Sequence, residues 1–380
     1  MRTRHVIMAA IVILLVGLAI VPAALAATGP VKAQVRAEAL AGTVITPTTV
    51  SVPAKATIQC TNTDGTETKF TTSFPSAFGA LGSAANLQGV PMTFSANPTS
   101  TSTGIFVNSI AGFGGPPTWS SWWMYAVNGW QPDIGAGDLH LLNGDKVLFY
   151  EVSSSTPYGT PTEQLIVRAA KIGLTPGQEV TLSVFGDDLS KPNSLADATR
   201  FYPDPSTVQI QTPAQFPAVD GATLHVGTLV YDLASSPYAT GNSLTLSSLP
   251  IGTYAVWAEK ANDSTAAYVR SAKLLINVDV LPVVSSVVAR PNPFTPKLEQ
   301  VRVTFKLSRT ARVQMQVKNR SGKVLATVTR SLSAGSRSLV WGGRTSTGKY
   351  VGRGTYYLRL TATDSWGRTS HAVVAKVTAR

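Results

Sequence analysis

Short runs of alternating apolar and polar residues recur about every 8–12 positions along the chain, separated by clusters of Gly, Pro, Asn and Ser. Period-two alternation marks a strand with one buried face, and strands at this spacing predict sandwiches rather than helical layers. The densest run is Trp119-Ser-Ser-Trp122-Trp123-Met-Tyr125-Ala-Val-Asn128-Gly129-Trp130, in which Asn128-Gly129 reads as a tight turn. Asn143-Gly144 is a second turn, and Val147–Tyr150 the strand after it. Trp123, Tyr125 and Val127 should share one face of the strand, and Trp122 and Met124 the other. Adjacent Trp122 and Trp123 cannot both enter one core, so one large ring is expected outside it.

Upstream, Val35–Ile45 reads as a hairpin, Thr48–Ile58 as a strand, Thr63-Asp64-Gly65 as a turn, and 104–112 as a strand. Ser76–Ala85 is the one stretch that reads as helix: Ser76 can cap it and Phe78, Leu81 and Ala85 fall on one face, although Gly79 and Gly82 weaken it. Downstream, Thr175-Pro-Gly177 turns into a strand ending near Phe185, and 243–258 is strand-rich. Val301–Leu307 alternates cleanly, Val313–Lys318 follows, and Asn319-Arg-Ser-Gly322 turns into Val324–Val328. The fold class expected is mainly β: a small β-rich module with one helix, then two Ig-like β-sandwich domains in tandem. The boundaries expected are 35–152, a Ser/Pro-rich linker at 153–162, 163–280, and 283–380.

Three stretches carry resemblances. Gly104-Ile-Phe-Val-x-Ser-Ile-x-Gly112, Trp123-Met-Tyr-x-Val-Asn-Gly129, Gly137-Asp138 and Asn143-Gly-Asp-x-Val-x-Phe-Tyr150 together resemble the transcobalamin C-terminal-like family over residues 35–152. The resemblance implies a compact β domain in which the Trp–Asn–Gly hairpin and the Gly-Asp turn are framework. In the cobalamin carriers the ligand lies between this module and a helical barrel, which this sequence lacks, and His140 departs from the family's usual aromatic. Leu249-Pro-x-Gly252-Thr-Tyr254 is similar to the penultimate strand of Ig-like or prealbumin-like modules, and implies a tyrosine corner at Tyr254. Arg290-Pro-Asn-Pro-Phe294, Trp341-x-Gly-Arg344 and Gly354-Thr-Tyr356 resemble the FlgD-like Ig-like family over 283–380, with Gly342 where that family usually has Asp. It implies an appended surface sandwich, with no flagellar role attached.

Composition adds compartment and charge. Arg2 and Arg4, the apolar run Val6–Ile20, and Ala24-Leu-Ala26 form a signal peptide by pattern, so residues 1–26 are expected to be removed and the protein secreted and associated with the cell envelope, with no further spanning segment; the alternative is that they stay as an uncut membrane anchor. The single cysteine, Cys60, excludes an intrachain disulfide and reads as an ordinary strand residue. The net charge of +12 is uneven: residues 283–380 hold 18 Lys+Arg against only Glu299 and Asp364.

Chemistry is sparse. His140, His225 and His371 are isolated, no nucleophile motif occurs, and the groupings Asp133/Asp138/Asp145 and Asp187-Asp188 read as turn residues. The expectation is a non-enzymatic binding or adhesion protein with no cofactor, metal or nucleic-acid partner. Trp119, Trp122, Trp123, Tyr125, Asn128 and Trp130 are the candidate platform for a cobalamin-like or glycan ligand. Arg302, Lys306, Arg312, Lys318, Arg320 and Lys323 are the candidate contacts to an anionic cell-wall polymer. The alternative is a structural stalk with no ligand pocket.

Overall fold

The computed structural model describes residues 29–61, 66–96, 105–115, 120–156, 160, 162–201 and 205–380. The targeting segment, the Thr63–Gly65 turn, Trp119 and part of the linker lie outside the described residues, as does the side chain of Cys60. The chain is mainly β, with three separate apolar cores in sequence order.

The first core is built on a four-stranded sheet. β1 (Val31–Ala39) and β2 (Gly42–Val52) form an antiparallel hairpin. Two ribbons follow, β3 (Thr57–Thr61) with β4 (Glu67–Thr71), and β5 (Met92–Ala96) with β6 (Ile105–Ile110). Between them runs α1 (Ala77–Gln88). β7 (Ser121–Val127) pairs antiparallel with β8 (Lys146–Ser153), and β8 runs parallel to β1, giving the order β2-β1-β8-β7. The helix begins where Ser76 Oγ accepts the N–H of Gly79 at 3.0 Å and stops at Gly89, which is left-handed. Gly79 argues against a helix by propensity; a Cβ on it would stand 3.5 Å from Val52 Cγ1, an ordinary contact, and only its 3.3 Å approach to the capping Ser76 Oγ would be tight.

The middle core lies between two five-stranded sheets. Its strands are β9 (Thr162–Ala169), β10 (Gly173–Leu174), β11 (Val180–Asp188), β12 (Thr223–Val226), β13 (Leu229–Asp232), β14 (Ala239–Thr240), β15 (Ser243–Leu246), β16 (Gly252–Glu259), β17 (Ala267–Val269) and β18 (Leu274–Val278). The orders are β10-β18-β16-β12-β13 and β14-β15-β11-β9-β17. Tyr254 donates its hydroxyl to the carbonyl of Pro250 at 2.8 Å, a tyrosine-corner bond. Two sequence expectations are corrected here. Asp187 and Asp188 are the last residues of β11, not turn residues. A second helix, α2 (Leu195–Phe201), leaves that strand's far end; it starts at Ser194, whose Oγ accepts the N–H of Asp197 at 3.1 Å.

The last core is a sandwich of β19 (Val284–Arg290), β20 (Val301–Leu307), β21 (Ala311–Lys318), β22 (Val324–Leu332), β23 (Gly335–Trp341), β24 (Gly354–Thr363) and β25 (Val373–Ala379). Its sheets are β19-β20-β23 and β22-β21-β24-β25. The alternation of β20 is followed to the residue: Val301, Val303, Phe305 and Leu307 are buried and the three between them exposed.

Candidate functional site

The Trp-rich strand is β7, and its two faces meet different neighbours. Trp123, Tyr125 and Val127 point into the first core, beneath α1. Trp123 Nε1 donates to the carbonyl of Phe113 at 2.8 Å, and the Tyr125 hydroxyl to that of Ile134 at 2.6 Å. Tyr125 stacks on Phe149 at 5.7 Å, and burial raises its hydroxyl pKa. Trp130 is 2 % exposed. On the other face Ala126 joins Leu148 and Tyr150 of β8 against Leu189 and Val269 of the middle domain, with Met124 and Val152 around them. One face of this sheet is therefore covered by a helix, and the other, around Ala126, Leu148 and Tyr150, by the next domain. Trp122, farther along the second face, is 38 % exposed, the ring that alternation left outside the core.

The Asn128-Gly129 turn is the tip of this arrangement, and it is docked. Both residues have positive φ, 54° and 80°, as a two-residue hairpin turn that matches strand twist requires. Asn128 Nδ2 donates to Asp145 Oδ1 and to Asp197 Oδ1, each at 3.0 Å, and Asn128 Oδ1 accepts the N–H of Lys146 at 2.9 Å. Arg200 of α2 grips Asp145 with both terminal nitrogens, at 3.1 and 3.0 Å, and donates to the carbonyl of His140 at 2.7 Å. Asn193 Nδ2 donates to the carbonyl of Asn128 at 3.1 Å and to Asp187 Oδ2 at 3.0 Å. A Cβ on Gly129 would collide with the side chains of Asn193 and Asp187. Burial, reinforced by Asp188 and Glu163 and opposed by Asn193, pushes the Asp187 carboxyl up to about 7.

A second polar seam crosses the same joint. Arg36 of β1 donates to Glu38 at 3.1 Å and to the carbonyl of Arg270 at 3.2 Å. Arg270 reaches back to Glu38 at 3.7 Å and holds Glu259 through two bonds, at 3.1 and 2.9 Å. Burial lowers the Arg36 pKa and raises that of Glu38, while each partner's charge works against the shift. His225 stands 2.8 Å from Glu259 and stacks flat on Trp257, with ring centres 3.6 Å apart. His140 stacks on Phe74 at 3.3 Å, and burial, then Arg200, lowers its pKa. Among the described residues no group of three His, Cys, Asp or Glu side chains converges on a point.

The basic sandwich distributes its cations over outward faces. On the four-stranded sheet, register places Arg312 and Lys318 of β21, Arg359 of β24 and Lys376 of β25 on the side away from the core, among Gln314, Gln316 and Tyr357. Arg320 and Lys323 lie exposed in the turn beyond Lys318. On the three-stranded sheet Arg302 and Lys306 are exposed, and Arg302 sits directly across from Arg290. The domain's two carboxylates are engaged elsewhere: Glu299 accepts the N–H of Thr295, and Asp364 pairs with the buried Arg368 at 2.8 Å. Among the described residues no carboxylate pairs with Arg302, Lys306, Arg312, Lys318, Arg320 or Lys323.

The structure thus brings Asn128 into a polar joint, leaves Trp122 at its rim, and buries Trp123, Tyr125 and Trp130. Sequence reasoning missed Arg200, Asp197, Asn193 and Arg270, the residues across the joint. Ser194-Leu-Ala-Asp197 is a capping pattern that could have revealed α2; nothing in the sequence singles out Asn193 or Arg270.

Residues 77–152 match a domain of unknown function (DUF4430), and residues 293–365 match the FlgD Ig-like domain. No curated protein matches the chain. Among solved structures, FlgD from P. aeruginosa is similar at 20 % identity and TM-score 0.21, over 26 % of this chain and 71 % of that one. The fibronectin(III)-like modules of Clostridium thermocellum CbhA are similar at 15 % identity and TM-score 0.33, over 57 % and 94 %. A tetra-tandem repeat from the extending region of a large adhesion protein is similar at 14 % and TM-score 0.24, over 92 % and 74 %. At these TM-scores none of the three bears on what the chain does. By family, then, the chain is similar to a domain of unknown function in its first part and to the FlgD Ig-like domain in its last.

Proposed function

We propose that this is an exported, non-enzymatic structural or binding protein of the cell surface, whose basic C-terminal sandwich docks on an anionic polymer of the cell envelope. The observation that carries the reading is the outward display of uncompensated cations on the last sandwich, whose own acids are engaged in internal contacts. Solubility alone is served by mixed charges; a domain with one sign on both outer faces attracts polyanions. The FlgD Ig-like match over 293–365 supports a non-catalytic sandwich at this position. The pattern of residues 1–26 supports export.

The test is co-sedimentation of the mature chain with purified Gram-positive cell walls. Binding is expected at about 0.05 M salt and release at about 0.5 M, because screening shortens electrostatic reach to a few ångströms there. Charge reversal of Arg312 and Lys318 together should weaken binding at least tenfold. Binding that ignores salt, or no binding, overturns the reading.

A second reading concerns the first module as a receptor for a cobalamin-like or glycan ligand. Trp122 supports it, as the exposed indole of β7 beside the half-buried Met124. Quenching of tryptophan fluorescence by cyanocobalamin or by chitin and cellulose oligosaccharides, lost in Trp122→Ala, is the expected result. No response in the wild-type chain leaves the structural stalk.

A further inference from the structure

The four-stranded sheet of the last sandwich sets an aromatic ring among its cations. β24 runs between β21 and β25, antiparallel to both. Register puts Lys318 directly across from Tyr357 on one side and Lys376 directly across on the other. Val317, Leu358 and Val377, their neighbours in sequence, are buried in the core, so these three side chains stand on the outer face. Lys376 is exposed, and Lys318 and Tyr357 are half-buried. At ordinary strand spacings the two lysines are rooted about 10 Å apart, with the tyrosine midway. Arg359, two residues along β24 and about 7 Å from Tyr357, lies across from Gln316 on the same face.

Among the described residues none of these three cations has an acidic partner. The rest of the face is amide and hydroxyl: Gln314 lies across from Thr361, and Gln316 from Thr327. The opposite sheet offers a comparison. Arg302 and Lys306 flank Thr304 there, whose cross-strand neighbours are Val288 and Ser338, so similar charge stands with no ring between.

The ring decides between polyanions. A chain of glycerol phosphates would satisfy the cations and leave Tyr357 unused. A sugar ring lays its C–H face on the phenol, its hydroxyls meet the glutamines and threonines, and a carboxylate on it takes charge-assisted bonds from lysine or arginine. Spacing agrees. A 1,4-linked pyranose chain advances by close to one strand spacing per sugar and turns alternate sugars over, so carboxylates on one edge recur at about the Lys318–Lys376 interval. The middle sugar then presents its own carboxylate on the other edge.

We propose that this face binds an acidic polysaccharide of 1,4-linked uronate, running across the strands with one sugar on Tyr357. The sugars on either side place their carboxylates on Lys318 and Lys376, and the middle one turns its carboxylate to Arg359. This rests on the basic sandwich being the dock for an anionic polymer, and adds which sheet makes the contact and which polymer it takes.

The experiment is calorimetric titration of the full chain, at about 0.05 M salt where screening is weak, with a 1,4-linked mannuronate hexamer. Neutral mannohexaose and a glycerol phosphate oligomer of equal charge are titrated beside it. The uronate should bind with a submillimolar Kd, and each comparison compound at least tenfold more weakly. Lys318→Gln with Lys376→Gln should cost at least tenfold, and Tyr357→Leu, which keeps bulk but removes the flat ring, at least fivefold at an unchanged melting temperature. Arg330→Gln with Lys349→Gln, which removes equal charge elsewhere on the sandwich, should cost less than threefold. Glycerol phosphate binding as tightly as uronate, or equal losses from the two charge-removing pairs, overturns the proposal. So does no binding of uronate by a chain that still sediments with cell walls and is released by salt, which leaves the broader reading standing; failure to bind either removes both.

Discussion

Asp187 is the residue on which the joint is most sensitive to pH. Its carboxyl titrates at about 7 in the folded chain against an ordinary value of 3.8. Between about pH 4 and 7 the folded chain holds a proton that the unfolded chain has released, so this group's contribution to stability falls as pH rises through that window. Asp187→Asn removes the titration. The stability difference between variant and wild type should move in the variant's favour by a few kcal/mol from pH 4 to pH 7.5, read by urea denaturation at each pH. A constant difference would show that the carboxyl titrates normally. Gly129 is equally exacting for a different reason: it combines a left-handed φ with close packing against Asn193 and Asp187. The Asn-Gly pair was legible as a turn because turn chemistry is local. Its docking was not, because Asn193 and Asp187 come from a segment some sixty residues downstream.

At the scale of elements, the reading succeeded where one face of a strand meets a core and the other meets water. β20 and β21 show their alternation openly. β8 does not, because Val147–Tyr150 is buried on both faces; its run of apolar residues was the only trace of a second neighbour. α2 went unread because it is only about two turns long, and its worth lies in two polar side chains, Asp197 and Arg200, that reach the first module. Arg200 and Asp145 are both largely buried, with side chains 11 % and 6 % exposed. Arg200→Ala leaves Asp145 with an uncompensated charge and should lower stability by about 3 kcal/mol. Limited proteolysis should then cut within 189–201 faster than in the wild type; unchanged stability and cutting would make the pair incidental. Ser76→Ala should cost about 1 kcal/mol through the lost cap of α1, measured by thermal denaturation.

At the scale of the whole molecule the two junctions differ in kind. The first module and the middle domain share an apolar cluster as well as ionic seams. The middle domain and the last sandwich meet through Arg309 on Asp279, Arg368 on the carbonyl of Leu174, and the backbone of Trp366 against Gly173. Calorimetry should therefore resolve two transitions, one for residues 31–280 melting together and one for the last sandwich. Three independent transitions would mean that the first joint carries little energy. The mainly-β architecture was open to sequence reasoning, since turn residues and alternation repeat along the chain, whereas contacts between distant segments leave no periodic mark.

Around Ala126, Leu148 and Tyr150 the sheet of the first module has no face of its own to give to water. Cut away from its neighbour, a fragment ending near Ser153 would present Ala126, Leu148 and Tyr150 as a bare oily plate with Arg36 and Glu38 stranded beside it. Such a fragment should pair with itself or precipitate, so wherever this module is transplanted, its roof has to travel with it.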